Sequence, residues 1–172
     1  VIDLLSKQAE EKGIALSSHV EDDVPPSVLG DVGRVRQVLI NLLGNAVKFT
    51  EQGQVSLSIR EGDGGLFAFA VEDSGPGIAP NDQRAIFTPF EQDLAGGPQG
   101  GTGLGLAIAY QHVKLMGGEI FLDSALGQGA RFSFELVLPA AAGGVSSQKT
   151  NNKAVLLPGA SVKALVVDRK ST

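Results

Sequence analysis

The chain has no cysteine and no tryptophan, one tyrosine, one methionine and two histidines among its 172 residues. Lack of cysteine excludes disulfides, thiolate metal sites and cysteine nucleophiles, and suits the cytoplasm. No apolar run approaches the length of a bilayer span and no signal-peptide pattern opens at Val1. Any membrane anchor of a parent protein is therefore expected outside this stretch. A net charge of -5 supplies no attraction to nucleic acid and argues against direct contact with an acidic membrane surface. What remains is 42% hydrophobic, enough for one domain with a packed core. Glycine is the residue in excess, 23 in all, clustered as in loops rather than spread as low complexity.

The most informative stretch is 34–50, RVRQVLINLLGNAVKFT. At helical spacing Val35, Val38, Leu39, Leu42, Leu43, Ala46 and Phe49 share a broad apolar face that belongs in a core. Gln37, Asn41, Asn45 and Lys48 fall on a separate stripe, with Gly44 beside them. A solvated face usually carries Glu, Lys and Arg, which propagate helix better than Asn. Either this is a polar face with two incidental asparagines, or it is a ligand surface. A carboxamide oxygen suits Mg²⁺ and an ammonium neutralises phosphate, so the ligand would be a metal nucleotide.

Around that helix the pattern is α+β. Residues 1–12 repeat at helical spacing and stop at Gly13, as the last turns of a longer element. Ile14, Leu16 and Val20 alternate as a strand, and Pro25 and Pro26 break the chain before a short VLGD segment. Asp31 is the expected N-cap of the central helix, which starts near Gly33. Val55, Leu57 and Ile59 mark a strand with one wet face, and 66–71, apolar on both faces, a central strand. Residues 72–83 (EDSGPGIAPNDQ) read as a loop leading to a short helix, and FTPFEQ (87–92) follows. Residues 93–101 hold almost no side chain able to anchor them and are expected to be mobile. A helix is expected over 103–116 with Leu104, Ile108 and Leu115 inward. Strands follow at 120–122 and 131–138, joined by the SALGQG turn. Strands backed by helices, with consecutive strands last, indicate a two-layer α+β sandwich over 1–139. Residues 140–161 have linker composition, and 163–168 (KALVVD) form a short apolar strand.

Two further stretches ask for the same ligand. Asp73 ends a buried strand and is followed by Gly75 and Gly77, which keep the backbone open beside a carboxylate able to accept from an exocyclic amine such as that of adenine. GGTGLGL (100–106) opens a helix whose free amides make an anion site. It is neither GxGxxG after a first strand nor GxxxxGK[ST], so the Rossmann and P-loop readings fail.

In this order the motifs resemble the catalytic ATP-binding domain of sensor histidine kinases, with the Bergerat fold of gyrase, Hsp90 and MutL type ATPases: a mixed sheet, helices on one face and a flexible ATP lid. RQVLINLLGNAVKFT resembles the N box, DSGPGI the G1 box, FTPFEQ the F box, GTGLGLAI the G2 box and 117–139 the closing strands. FEQ and the closing SxxGxGxxFxFxL pattern are most like hybrid kinases, in which a receiver domain follows. The resemblance implies that Asn45 ligands Mg²⁺ bridging the ATP phosphates, that Asn41 flanks them and that Lys48 binds phosphate. It assigns adenine N6 to Asp73 and the base pocket to Gly75, Gly77 and Ile78. Gly101, Thr102, Gly103, Leu104 and Gly105 would hold phosphates under a lid closed by Phe87 and Phe90. Related ATPases place a Glu at the position of Asn41 to activate water, and an amide cannot be that base. Transfer to a histidine is thereby favoured over hydrolysis.

The implied partner is a histidine-bearing dimerisation domain of the same protein, within a motif such as HELRTPL. His19, on a strand, and His112, in mid-helix, lack that setting and read as structural or surface histidines. The isolated domain is expected to bind ATP and Mg²⁺ without autophosphorylating, in the cytoplasm, with the parent protein anchored in the inner membrane or free. A receiver domain or response regulator is the implied downstream partner. KALVVD resembles a receiver's first strand, but Arg169 and Lys170 follow where a second acid is usual. Residues 162–172 thus begin a receiver, a degenerate one, or mark a fragment's edge. No Arg or Lys lies in 93–101, leaving phosphate charge to Mg²⁺, Lys48, the helix start and Arg84. Tyr110 and Lys114, one turn apart, are either a surface pair or a docking or effector site for a regulatory nucleotide. The alternative function is a nucleotide-sensing module without phosphotransfer; a third is a Bergerat ATPase driving conformational change.

Overall fold

A computed structural model of the chain describes residues 1–89 and 103–141, together with the backbone of 164–166. In chain order the elements are α1 (Ile2–Lys12), β1 (Ala15–Val20), β2 (Ser27–Leu29), α2 (Val32–Phe49), β3 (Gln54–Glu61), β4 (Leu66–Asp73), α3 (Gly105–Leu115), β5 (Ile120–Ser124), β6 (Ala130–Val137) and β7 (Ala164–Val166). Five strands form one mixed sheet in the order β1-β3-β4-β6-β5, with β1 parallel to β3 and the other pairs antiparallel. β2 and β7 pair separately, antiparallel. The expected two-layer α+β architecture, with 66–71 in a central strand, is what forms.

Period two decides which face of the sheet is dry. Leu57 and Phe132 both pair in register with Val71, and Ile59 and Phe134 both pair with Phe69, so these apolar side chains share one face. They join Val38, Leu42, Leu43 and Val47 of α2, and Ala109 and Val113 of α3, in a single core. The Phe69 and Phe134 rings stack at 4.8 Å, a cross-strand aromatic pair at its centre. The opposite face carries Ser58, Arg60, Arg131, Ser133 and Glu135. The helices therefore cover one side only.

α2 begins as its sequence requires. Asp31 caps it, its carboxylate accepting from the Arg34 N–H at 3.2 Å. Six of the seven residues assigned to its apolar face are buried, and Val47 is buried with them. Phe49 is the correction: it is 44% exposed, because it is the last helical residue and lies beyond the end of the packed face. α3 is a second correction. Its buried residues are Ala107, Ala109 and Val113, whereas Ile108 and Leu115, expected inward, are 39% and 65% exposed. Residues 104–110 are apolar on every side, so hydrophobicity alone leaves the rotational phase open, and it is Ala109 and Val113, one turn apart, that join the common core. The short helix expected after the EDSGPGIAPNDQ loop is a single 3₁₀ turn, Ala85–Phe87. No helix among the described residues is long and apolar enough to cross a membrane.

Candidate functional site

The polar stripe of α2 and the start of α3 meet. The Asn41 carboxamide donates to the Gly105 carbonyl at 2.9 Å and its oxygen accepts from the Gln37 amide at 3.0 Å. A Cβ added at Gly105 would lie in ordinary contact with the Asn41 side chain, 3.8 Å away, so the two helices adjoin here. Leu104 stands at the N-cap of α3 and supplies no side-chain cap. Among the described residues no side chain caps the first-turn amides of this 11-residue helix, the arrangement that suits an anion. One turn along α2, Asn45 is partly buried and its carboxamide makes no hydrogen bond to any described residue. The Lys48 ammonium lies 4.7 Å from the centre of the exposed Phe49 ring and pairs with no carboxylate among the described residues.

Asp73 is the last residue of β4 and continues the inward register of Phe69 and Val71, which aims its carboxylate toward the helix layer. Burial pushes its carboxyl above the ordinary aspartate range, and hydrogen bonds from the Gly75 and Ala130 main chain partly offset this. The Gly75 N–H donates to it at 2.9 Å. A Cβ on Gly75 would lie 2.9 Å from that carboxylate oxygen and 3.3 Å from the Thr50 hydroxyl, which explains the glycine. Thr50 is fully buried, and its hydroxyl has no hydrogen-bond partner among the described residues. A buried polar atom left in this condition beside a half-buried carboxylate marks a place for a polar ligand group.

The loop after Asp73 is fixed from both sides. Ser74 Oγ accepts from the Gln54 N–H at 2.9 Å and donates to the Gln52 carbonyl at 3.2 Å, tying the loop to the turn between α2 and β3. On the other side the Ile78 N–H donates to Ser124 Oγ at 2.9 Å, and Gln83 donates to the Ile78 and Ser124 carbonyls. Gly77 has φ 71° and a side chain there would collide with the Ala125 carbonyl, so the loop seats against the β5–β6 turn only with glycine. Phe87 packs edge-on to Phe132 and 5.6 Å from Tyr110, which anchors the 3₁₀ turn to the core between β6 and α3. Gly103 and Leu104 precede α3, Gly103 with φ 66°. Phe90, Gly101 and Thr102 lie outside the described residues, as does the expected mobile segment.

Tyr110 is partly buried against Phe87. The exposed Lys114 ammonium binds Glu119 at 2.8 Å and lies 5.6 Å from the Tyr110 ring centre, so its charge already has a partner. His19 is exposed on β1, and His112 lies within α3 with its Nδ1 buried and without a hydrogen-bond partner among the described residues. Neither has a carboxylate partner among the described residues. Phe49, Thr50, Ser74 and Ser124 escaped the sequence reading. Phe49 entered it only on the apolar face of α2, and Ser74 and Ser124 only within the DSGPGI and SALGQG stretches.

No group of three or more His, Asp or Glu side chains able to cage a metal exists among the described residues. One carboxamide, Asn45, left without a hydrogen bond among the described residues and one turn along α2 from the Asn41–Gly105 contact, suits a Mg²⁺ ion that arrives with phosphate oxygens and water as its other ligands. Two cavities, of about 390 Å³ on the open sheet face and about 270 Å³ beside the β5–β6 turn, are not lined by α2 or α3.

Residues 30–140 match the family model described as histidine kinase-, DNA gyrase B- and HSP90-like ATPase. The chain is 41% identical over 142 residues to the aerobic respiration control sensor protein ArcB of Escherichia coli, covering 81% of this chain and 18% of that protein. It is 39% identical over 141 residues to hybrid signal transduction histidine kinase B of Dictyostelium discoideum, 78% of this chain and 7% of that one. The crystal structure of full-length ShkA in complex with AMPPNP superposes with a TM-score of 0.74 at 44% identity, over 83% of this chain and 29% of that one. The chain thus spans less than a fifth of the two curated relatives. With its open mixed sheet, one-sided helix layer and polar stripe on α2, it belongs to the histidine kinase-, DNA gyrase B- and HSP90-like ATPase family and has that family's α+β Bergerat fold.

Proposed function

We propose that the chain is the ATP-binding catalytic domain of a hybrid sensor histidine kinase, presenting Mg²⁺-ATP to a histidine in a dimerisation domain outside this stretch. The observation that carries this is the bond from Asn41 to Gly105, which joins the amide stripe of α2 to the open first turn of α3. In this reading Asp73 accepts from the adenine amine, Phe49 stacks on the base, and Lys48 and the α3 amides bind phosphates. Gly75, Gly77 and Ile78 shape the base pocket, and Phe87 anchors the segment leading toward Phe90, Gly101 and Thr102. Asn45 would hold Mg²⁺, which neutralises phosphate charge when bound. The AMPPNP complex of ShkA supports a nucleotide in this fold.

Asn41 is an amide already engaged with Gln37 and Gly105, and an amide cannot act as a base for water. The γ-phosphoryl group is therefore held for an incoming histidine nitrogen rather than released to solvent. Residues 140–161 act as a linker and 162–172 begin a receiver or pseudo-receiver domain, which with a response regulator would take the phosphoryl group onward. The site works on the cytoplasmic side. Calorimetric titration is expected to show saturable, Mg²⁺-dependent ATP binding with no steady phosphate release. Appreciable release by this domain alone would instead support an ATPase.

A further inference from the structure

We propose that Lys12 is a positioning residue for the nucleotide site, acting through the last turn of α2; the inference rests on the reading of that site above. Lys12 ends α1, and its ammonium donates hydrogen bonds of 2.7 Å to the main-chain oxygens of Val47, Lys48 and Thr50. A helix ends with carbonyls that lack intrahelical partners. α2 has no glycine at its end, and Thr50 leaves it in an extended conformation. The cation that satisfies these oxygens comes from another helix, where it also opposes the negative end of the helix dipole.

Topology puts it there. β1 and β3 are parallel, so the α1–β1 corner lies beside the α2–β3 corner, and the Ala15 N–H donates to the Gly53 carbonyl at 2.9 Å. Gly13, at φ 69°, ends α1 with its N–H returned to Ala9 and Glu10, and Ile14 is buried beyond it. The Lys12 backbone is thus fixed, and its three N–H donors meet three separate oxygens. Those oxygens belong to the turn that carries Lys48 and Phe49 and ends at Thr50, whose buried hydroxyl lies by Gly75. Lys12 sets where that turn stands, and with it the charge and ring offered to the nucleotide.

A double-mutant cycle with Lys48 separates positioning from general stabilisation. The full chain is titrated with a fluorescent ATP analogue and Mg²⁺ at a temperature where circular dichroism shows every variant folded. Lys12→Met is expected to weaken binding about tenfold in the parent and less than about threefold in Lys48→Ala, while Lys12→Arg stays within about threefold of the parent. The same loss in both backgrounds would reduce Lys12 to a general stabiliser, and no loss in the parent would remove it from the site; either overturns the proposal. If Lys12→Met does not fold, Lys12→Gln carries the same cycle. A parent chain that fails to bind the analogue overturns the proposed function first, and this inference with it.

Discussion

Asn45→Ala is expected to lower the affinity for ATP in Mg²⁺ by about two orders of magnitude and to abolish the dependence of binding on the metal. Asn45 is partly buried, lies one helical turn from Asn41 and makes no hydrogen bond among the described residues. Its removal therefore breaks no internal contact that would confuse the result. Mg²⁺ keeps most of its ligands as water and phosphate, so one protein oxygen decides whether the ion and the triphosphate are held together. Thermal unfolding should move little, because no hydrogen-bonded partner is orphaned. Titration with ATP, with and without Mg²⁺, reads this directly. An unchanged ratio of the two affinities would remove Asn45 from the metal site.

Asp73→Asn is expected to weaken ATP by about 10- to 100-fold and to relax its preference over GTP. A carboxylate accepts from the N6 amine of adenine but faces the O6 acceptor of guanine; an asparagine, rotated, can offer its NH₂ to that oxygen. The asparagine oxygen can still take the Gly75 N–H, so the loop should persist. The carboxyl is held above the ordinary aspartate value by burial, so the native state retains its proton to a higher pH than the unfolded chain does. This group therefore costs stability as pH rises from the unfolded pKa through the folded one, and the cost is absent below both. Asn removes it. The variant should unfold at an equal or higher temperature at neutral pH while binding ATP worse, a trade expected where function keeps a charge half-buried. For the parent, ATP affinity should fall on acidification at a higher pH than for an ordinary aspartate. Preserved selectivity for ATP over GTP in Asp73→Asn would contradict the assignment to the base.

α2 was legible because a clear stripe divides its apolar and polar sides, and its phase survives folding except at Phe49, where the helix ends. α3 has no such contrast, and its inward face, which carries Ala109 and Val113 into the core, was set by packing, a tertiary fact. Strand order followed the same division: 66–71 showed itself central by being apolar on both faces, whereas the parallel pairing of β1 with β3 left no local mark. At the site, residue types that suit a nucleotide stood out in Asn41, Asn45, Lys48 and Asp73. The contacts that aim them did not. Lys12 reaches carbonyls 35 to 38 residues away, and Ser124 holds Ile78 from 46 residues off. Such bonds to backbone atoms carry no sequence signature, because any residue can supply the carbonyl and any but proline the N–H.

The central claim, presentation of ATP to a histidine, is tested most directly by mixing this chain with the histidine-bearing helices of its parent protein and γ-labelled ATP. Acid-labile label should appear on the helices and should be lost with Asn45→Ala. ATP bound by the chain with no label on a folded, dimeric acceptor would contradict the claim and leave a nucleotide-sensing domain in its place.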